Sequence, residues 1–182
     1  MTKFDKAYEE MAKWEGGYSD DKYDPGGKTI WGITERHHPE TFGIIIDLLK
    51  TGNKALARLT AKNLYYRLYW NPLYDEIPDS SLAFKVFDFG VNAGVKRAVK
   101  ILQKTINNLY GTKYLFVDGM FGQDTLKSIL LIEQTNKDCK YSFTSIYNDY
   151  IKRLGRFYRS LGTFWRFGKG WMRRLRNRKY LD

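Results

Sequence analysis

The chain has 182 residues, of which 43% are hydrophobic and 16% aromatic, so it can build the core of one compact domain, and global disorder is excluded. Its 31 basic residues outnumber its 20 acidic residues, and the net charge of +11 indicates a polyanionic partner: nucleic acid, cell-wall polymer or a membrane surface. Cys139 is the only cysteine, which excludes an internal disulfide and a cysteine zinc site and indicates a small hydrophobic side chain.

The first ten residues lack the apolar run of a secretory signal. The longest apolar stretch, from Phe42 to Leu49, is too short and too interrupted to span a bilayer. We therefore expect synthesis in the cytoplasm. Action outside the cytoplasm would need a separate release route.

An amphipathic helix opens the chain and is expected to end at Gly16-Gly17; its apolar residues recur at helical spacing: Phe4, Ala7, Tyr8, Met11 and Trp14. Turn residues follow, including Asp24-Pro-Gly-Gly, and then the strand-like run Thr-Ile-Trp-Gly-Ile-Thr that begins at Thr29. The pattern predicts a small β-hairpin lobe directly after the first helix.

The rest of the chain predicts helices, so the expected fold class is mainly α. The segment from Ser80 to Gly94 is apolar nearly all round, which indicates a buried central helix. A change of character near Val95 is the plausible internal boundary. Six further helices are predicted, over residues 39–52, 57–68, 98–111, 125–130, 147–161 and 169–179.

Few residues in the chain suit catalysis. His37 and His38 are adjacent and therefore point apart, which makes them a poor metal pair and favours surface positions. The sequence contains no nucleophile-elbow motif and no phosphate-binding glycine loop. The remaining candidates are the carboxylates and hydroxyls between the first helix and Thr34.

Glu15 is the candidate general acid. The negative end of the helix dipole disfavours a carboxylate there, and Trp14 and Tyr18 would desolvate it further. Both effects favour the protonated carboxyl that a general acid needs. The alternative is a structural Glu15 that pairs with a surface lysine.

Asp24 and Thr29 are the candidate partners of that acid. If the chain folds as a hairpin, both return to face the end of the first helix. A carboxylate and a hydroxyl opposite a protonated Glu can hold a water for attack on a glycosidic carbon. Asp24 is also a turn former, and the two roles are compatible. Asp20 and Asp21 are interpreted as turn and surface residues, with Asp20 as a reserve for Asp24.

Three blocks in this stretch resemble the signature of glycoside hydrolase family 108, which comprises lysozyme-like N-acetylmuramidases, including endolysins and proteins once called secretion activators. The blocks are Glu15-Gly-Gly-Tyr, Asp24-Pro-Gly-Gly-Lys-Thr and Trp31-Gly-Ile-Thr. The resemblance implies a lysozyme-like α+β fold. The order Glu, Asp, Thr is also similar to the catalytic arrangement of phage-type lysozymes, although Thr29 lies one residue nearer to Asp24 than in that pattern.

The resemblance extends over nearly the whole chain. Residues 87–94 and 98–103 resemble the family's central helices, and Val117-Asp118-Gly119 with Gly122 resembles the Asp-Gly-x-x-Gly loop of its predicted peptidoglycan-binding segment. We therefore predict a lysozyme-like catalytic region over residues 1–94. A helical peptidoglycan-binding subdomain over residues 95–182 is expected to share one core with it.

The resemblance implies hydrolysis of the β-1,4 bond between N-acetylmuramic acid and N-acetylglucosamine, with Glu15 as the acid and Asp24 positioning or activating water. No metal or cofactor is implied. Candidate substrate-binding residues are three aromatics suited to sugar stacking and one polar residue of the central helix: Tyr18, Tyr23, Trp31 and Asn92. Each also has a structural alternative, namely packing of a small lobe for the aromatics and a buried hydrogen bond for Asn92.

Other functions remain open at this stage. A lytic transglycosylase would use Glu15 alone, and a non-catalytic module would hold glycan or a secretion-machinery partner in the same groove. The basic tail is either a solvated face or a contact to an anionic wall or membrane surface; its cations are Arg173, Arg174, Arg176, Arg178 and Lys179. No nucleic-acid motif is recognisable. The family implies holin-type release, with action in the periplasm or cell wall.

Overall fold

The computed structural model describes residues 1–20, 27–134 and 142–177, without the side chains of residues 133 and 134. This part contains eight α-helices and one small antiparallel sheet, so the predicted mainly α, lysozyme-like class is confirmed. The backbone groups into two compact units, Met1–Trp70 and Asn71–Asp182. Among the described helices, none is long and apolar enough to cross a membrane.

In the first unit, helix α1 spans Lys3–Ala12 and begins with a capping box between Thr2 and Asp5. It ends four residues before the predicted stop at Gly16-Gly17, so this boundary was predicted too late. The chain continues as two tight turns in which Trp14 N–H donates to Met11 O and Glu15 N–H donates to Ala12 O. Glu15 therefore lies just beyond the helix.

The predicted β lobe is confirmed as a three-stranded sheet in the order β1-β2-β3. Strand β1 is Tyr18–Ser19, β2 is Thr29–Ile30 and β3 is Ile33–Thr34. Tyr18 pairs with Ile30, and Ile30 pairs with Ile33. Because paired residues share a face, the two buried isoleucines face the core and the residues of the other row, Ser19, Thr29 and Thr34, share the opposite face.

Helices α2 (Pro39–Lys50) and α3 (Lys54–Tyr69) pack against each other and complete the first unit. A cluster of aromatic rings joins α1 to α3, with ring centroids 4.9–5.6 Å apart: Phe4, Tyr8, Tyr65, Tyr66 and Trp70. Burying one such ring stabilises a fold by roughly 1.5–3 kcal/mol. This cluster holds α1 against α3.

The second unit begins with a short 3₁₀ helix, Pro72–Glu76, and helix α4, Ser80–Ala93. Asp79 caps α4 by accepting a hydrogen bond from Leu82 N–H at 3.0 Å. All nine residues of α4 from Leu82 to Gly90 are buried, as predicted for the central helix.

Four helices follow: α5 (Val95–Tyr110), α6 (Gln123–Gln134), α7 (Phe143–Arg159) and α8 (Phe164–Arg176). Helix α8 begins five residues before the predicted Lys169. The ring of Phe164, in the first turn of this helix, lies over Gly168, where a Cβ would come within 2.6 Å of it. Helices α4 and α5 meet at Gly94 and pack together in this unit, and the functional boundary expected near Val95 stays a prediction.

Candidate active site

The carboxyl group of Glu15 lies against the turn that connects β2 and β3. A Cβ built on Gly32 would lie 2.5 Å from Glu15 Oε2 and 2.5 Å from the Tyr65 hydroxyl oxygen. The carboxylate and the hydroxyl therefore converge on a space that only a glycine leaves open. Gly32 also has φ +77°, a backbone conformation that side chains rarely adopt. Glycine is required at this position for both reasons.

The turn itself has an uncommon composition. Trp31, at φ 49°, and Gly32 are the two central residues of the β2–β3 hairpin, and positive φ at both defines a type I′ turn. Gly is expected at such a position, but a bulky residue such as Trp is an outlier there. Such strain persists only where the surroundings hold the residue in place.

Two side chains of α3 hold Trp31. The Tyr65 hydroxyl donates a buried hydrogen bond of 2.9 Å to Trp31 O. The Arg58 guanidinium lies 4.1 Å from the centre of the Trp31 ring, in cation–π geometry. Helix α3 thus holds the β2–β3 turn in place, and the carboxylate of Glu15 packs against that turn.

Tyrosines surround this carboxylate. Burial raises the pKa of Tyr8 and of Tyr69, and the negative charge of Glu15 raises both further. The ring of Tyr65 lies between them, 5.6 Å from each ring centre. Glu15 is itself half-buried. Aromatic rings that carry hydroxyl groups are therefore among the neighbours of Glu15.

Sequence reasoning missed the residues of α3 that build this environment. Arg58, Tyr65 and Tyr69 are seven and four residues apart, a helical spacing that predicts a packed helix face rather than a site. Tyr65 is 34 residues from Trp31 in the chain, and no local pattern announces that contact. The Trp-Gly pair was the available signal, because Gly after a strand residue favours a tight hairpin.

The other predicted catalytic residues are placed only in part. Thr29 lies in β2, half-buried, and its hydroxyl donates to Gly27 O at 3.3 Å. Its cross-strand partner Thr34 contacts His37 Nδ1 through its own hydroxyl at 2.7 Å. Asp24 lies outside the described residues. The catalytic roles of Asp24 and Thr29 stay predictions.

The predicted substrate-binding residues differ in accessibility. Tyr18 is 54% exposed, so its ring can receive a sugar face, whereas Trp31 is 8% exposed and covered by Arg58. Asn92 belongs to the second unit, where its amide donates to Asp88 O at 2.7 Å. Tyr23 lies outside the described residues. Stacking of a sugar on Trp31 would first require Arg58 to move away.

Within the described ranges, no three His, Cys, Asp or Glu side chains come together as a metal site requires. His37 and His38 follow β3, and His37 is exposed as the sequence predicts. The carboxyl group of Glu15 and the hydroxyl group of Tyr65 are the groups at this site that can take part in proton transfer.

Comparison with known proteins covers both units. The family model described as Glycosyl hydrolase 108 matches residues 8–94, which include Glu15, Gly32 and Tyr65. Among solved structures, SagA of Brucella abortus is 32% identical in sequence with a TM-score of 0.66, and the match covers 94% of this chain and 88% of that one. No curated protein matches the sequence.

Proposed function

Because the chain belongs to glycosyl hydrolase family 108, and is thus a glycoside hydrolase of a peptidoglycan-cleaving family, we propose that it is an N-acetylmuramidase. The bond cleaved is the β-1,4 linkage between N-acetylmuramic acid and N-acetylglucosamine, and Glu15 is the general acid. One observation supports this role above all. The Glu15 carboxyl is half-buried and meets the Tyr65 hydroxyl at the bare Cα of Gly32.

The Tyr65 hydroxyl lies beside the Glu15 carboxyl at Gly32. It donates its proton to Trp31 O, so its oxygen keeps a lone pair that can accept a hydrogen bond. This hydroxyl is proposed to help orient the Glu15 carboxyl toward the substrate.

In the proposed reaction, the Glu15 proton passes to the glycosidic oxygen while the bond from that oxygen to the anomeric carbon breaks. The leaving sugar departs with a free hydroxyl. A water then bonds to the anomeric carbon and loses its proton, with Asp24 positioning or activating it and Thr29 helping to hold it. General acid catalysis of this kind contributes typically 10²–10⁴-fold in rate.

We assign glycan contacts to both units. In the first unit, the exposed ring of Tyr18 is the best-placed sugar platform, and Tyr23, Trp31 and Asn92 are further candidates. In the second unit, a groove of about 960 Å³ supports the expected peptidoglycan-binding segment. It combines exposed aromatic rings with amide and cationic groups: Tyr114, Phe116, Asn108, Lys104 and Lys113.

The substrate lies outside the cytoplasmic membrane, so we also propose that the protein acts in the periplasm or cell wall after holin-type release. Expression with and without a membrane-permeabilising holin tests this route. Lysis only when both are present supports the proposal. Equal lysis without a holin would contradict it.

The nature of the new chain ends tests the proposed reaction most directly. Purified peptidoglycan is digested, and the products are examined by mass spectrometry. Reducing N-acetylmuramic acid ends are expected from a muramidase. Anhydro-muramic acid ends would instead show a lytic transglycosylase that uses Glu15 without water, and reducing glucosamine ends would show a glucosaminidase.

Two variants make this test specific. Glu15→Gln keeps the size of the side chain but removes the transferable proton, and it should yield no new ends. Glu9→Gln makes the same change at an exposed position of α1 and should digest like the parent. Release of no new ends by the parent would indicate a non-catalytic binding module.

A further inference from the structure

The positive charge of this protein is concentrated in one part of its second unit. Residues 150–181 contain eleven Lys and Arg residues and no Asp or Glu. Among the described residues, two of these cations form the ion pairs Arg153–Asp149 and Arg174–Asp88, each at 2.8 Å, and Asp88 is buried. Arg174 therefore does not belong to the exposed tail, and the exposed cations that the structure describes in this segment lie on α7 and α8.

Four of these cations line a cleft of about 280 Å³ between α7 and α8, and no acidic residue lines it: Lys152, Arg156, Arg159 and Arg176. The three on α7 are spaced four and three residues apart, so they share one face of that helix. Within the part of the chain that the structure describes, none of the four makes an ion pair. Like charges held together repel one another, and a bound anion would relieve that repulsion.

The floor of the same cleft is apolar. It is formed by Ile151, Met172 and Leu175, together with the backbone of Gly155. A Cβ at Gly155 would contact Leu175 at 3.6 Å and Met172 at 3.7 Å, which shows how closely α8 approaches α7. The cleft therefore offers cationic walls above a hydrophobic base.

The outer face of α8 continues this surface. Its cations Arg166, Lys169, Arg173 and Arg176 are spaced three, four and three residues apart, along one side of the helix. Two large aromatic side chains lie beside them: Trp165 is 83% exposed and Phe167 is 47% exposed. Exposed aromatic rings next to cations are typical of surfaces that meet the interfacial zone of a bilayer.

The inner face of α8 is firmly held, so this outer face is presented on a rigid support. Trp171 stacks on Tyr158 with ring centroids 5.3 Å apart. Lys85 Nζ donates to Arg174 O at 2.9 Å, which joins α8 to α4. The surface needs no rearrangement of the helix to meet a partner.

We infer that the basic surface formed by the α7–α8 cleft and the outer face of α8 binds the anionic phospholipid headgroups of a membrane. The cations match the phosphate charge, and the exposed indole of Trp165 matches the acyl boundary beneath the headgroups. A nucleic acid would neutralise the cations but would offer no apolar environment to the exposed rings of Trp165 and Phe167. This inference stands apart from the proposed glycosidase activity.

Co-sedimentation of the full chain with vesicles tests the inference. Phosphatidylglycerol vesicles should bind the protein at least about tenfold more tightly than phosphatidylcholine vesicles, and the difference should shrink as salt rises. The double variant Arg156→Gln/Arg159→Gln should lose about tenfold in binding to the anionic vesicles. The matched control Lys54→Gln/Arg67→Gln removes the same charge from exposed positions of the first unit and should bind like the parent.

Trp165 provides a separate measurement. Binding to phosphatidylglycerol should shift the tryptophan emission to the blue, and Trp165→Phe should remove most of that shift. The salt dependence of binding should remain in this variant, because the cations are unchanged. An unchanged shift in Trp165→Phe would overturn the placement of α8 at the membrane.

Three other outcomes would overturn the inference. Equal binding to both vesicle types would show that charge recognition is absent. Complete displacement by inorganic phosphate at low concentration would indicate a free-phosphate site. Tighter binding to duplex DNA, lost in the same double variant, would show a nucleic-acid surface instead. Circular dichroism of each variant confirms that the fold is retained, so loss of binding is interpretable.

Discussion

Two carboxylates, one in each unit, show how their surroundings separate a chemical role from a structural one. Glu15 is half-buried near tyrosine hydroxyls, at a turn that only glycine can form. Asp88 is 4% exposed and accepts a hydrogen bond of 2.9 Å from Arg174 Nε. Arg174 Nη2 lies 2.8 Å from the same oxygen in an ion pair, and Lys85 Nζ lies 4.0 Å from the other oxygen. A carboxylate buried in an ion pair has a structural role, whereas Glu15 lies half-buried beside the Tyr65 hydroxyl, at the edge of the β2–β3 turn.

The two carboxylates differ in the charge of the groups around them. Arg174 and Lys85 bring positive charge into a buried region, and Asp88 neutralises it, so removing Asp88 leaves an uncompensated charge. The neighbours of Glu15 include the Tyr65 hydroxyl and the rings of Tyr8 and Tyr69. The comparison predicts opposite consequences for the two substitutions that follow.

The largest effect is expected from Glu15→Gln on catalysis. Without a transferable proton, the rate on purified cell wall should fall by about 10²–10⁴-fold. The thermal midpoint should stay close to that of the parent, because Gln has the same size. Turbidity loss and zymography measure the first quantity, and calorimetry the second. If Glu15→Gln cleared cell wall as well as the parent, Glu15 would not be the catalytic acid.

Asp88→Asn should lower stability and leave activity nearly unchanged. Breaking a buried ion pair by removing one partner typically costs about 3–5 kcal/mol of unfolding free energy. Denaturant unfolding should show this loss, while the activity per folded molecule stays near the parent value. Asp149→Asn is the matched control, since it breaks the half-buried Arg153 pair on α7 and should cost about 1 kcal/mol or less. Equal costs for both would end the distinction between the two sites.

The sequence predicted the elements better than their partners. Apolar spacing located the helices, and the turn residues located the β lobe. The stop of α1 was placed too late because Gly16-Gly17 is a strong breaker, yet the backbone already leaves the helix after Ala12. Helix ends depend on local turns that apolar spacing does not report.

The partners of the two carboxylates could not be predicted, because they are distant in the chain. Arg174 lies 86 residues from Asp88, and Tyr65 comes from a helix whose pattern indicates only a packed face. Glu15 could be predicted because its block is specific and it follows a helix. Asp24 and Tyr23 lie outside the described residues, so their roles stay predictions.

The buried Lys85 beside Asp88 predicts that stability depends on pH. Burial lowers the pKa of Lys85 from 10.5 to about 8, against the opposing effect of Asp88. Between these values the unfolded chain binds more protons than the folded chain, so stability should rise with pH. From about pH 8 to about pH 10 this gain is about 2 kcal/mol, at one pKa unit per 1.36 kcal/mol. Denaturant midpoints measured across this window test it.

Lys85→Met is the control for that rise, since it removes the titrating amine and should flatten the profile. The window ends near pH 10 because burial raises the pKa of Tyr74, Tyr150 and Tyr158 above the ordinary value of 10. These groups ionise earlier in the unfolded chain, so they lower stability at higher pH. The same rise in Lys85→Met would assign it to other groups.

Gly32→Ala returns to the site of Glu15 and combines a modest loss of stability with a loss of activity. The new Cβ would meet Glu15 Oε2 and the Tyr65 hydroxyl at 2.5 Å, on a backbone at φ +77°. A shift of these groups and the strained backbone should together cost about 1–3 kcal/mol of unfolding free energy. Activity should fall by at least about tenfold, because the displaced acid loses its orientation. Gly52→Ala, at φ +79° with open space around it, carries the same strain without the contact. It should lose stability but keep its activity, and an equal loss of activity in both variants would show that the contact with Glu15 is not what positions the acid.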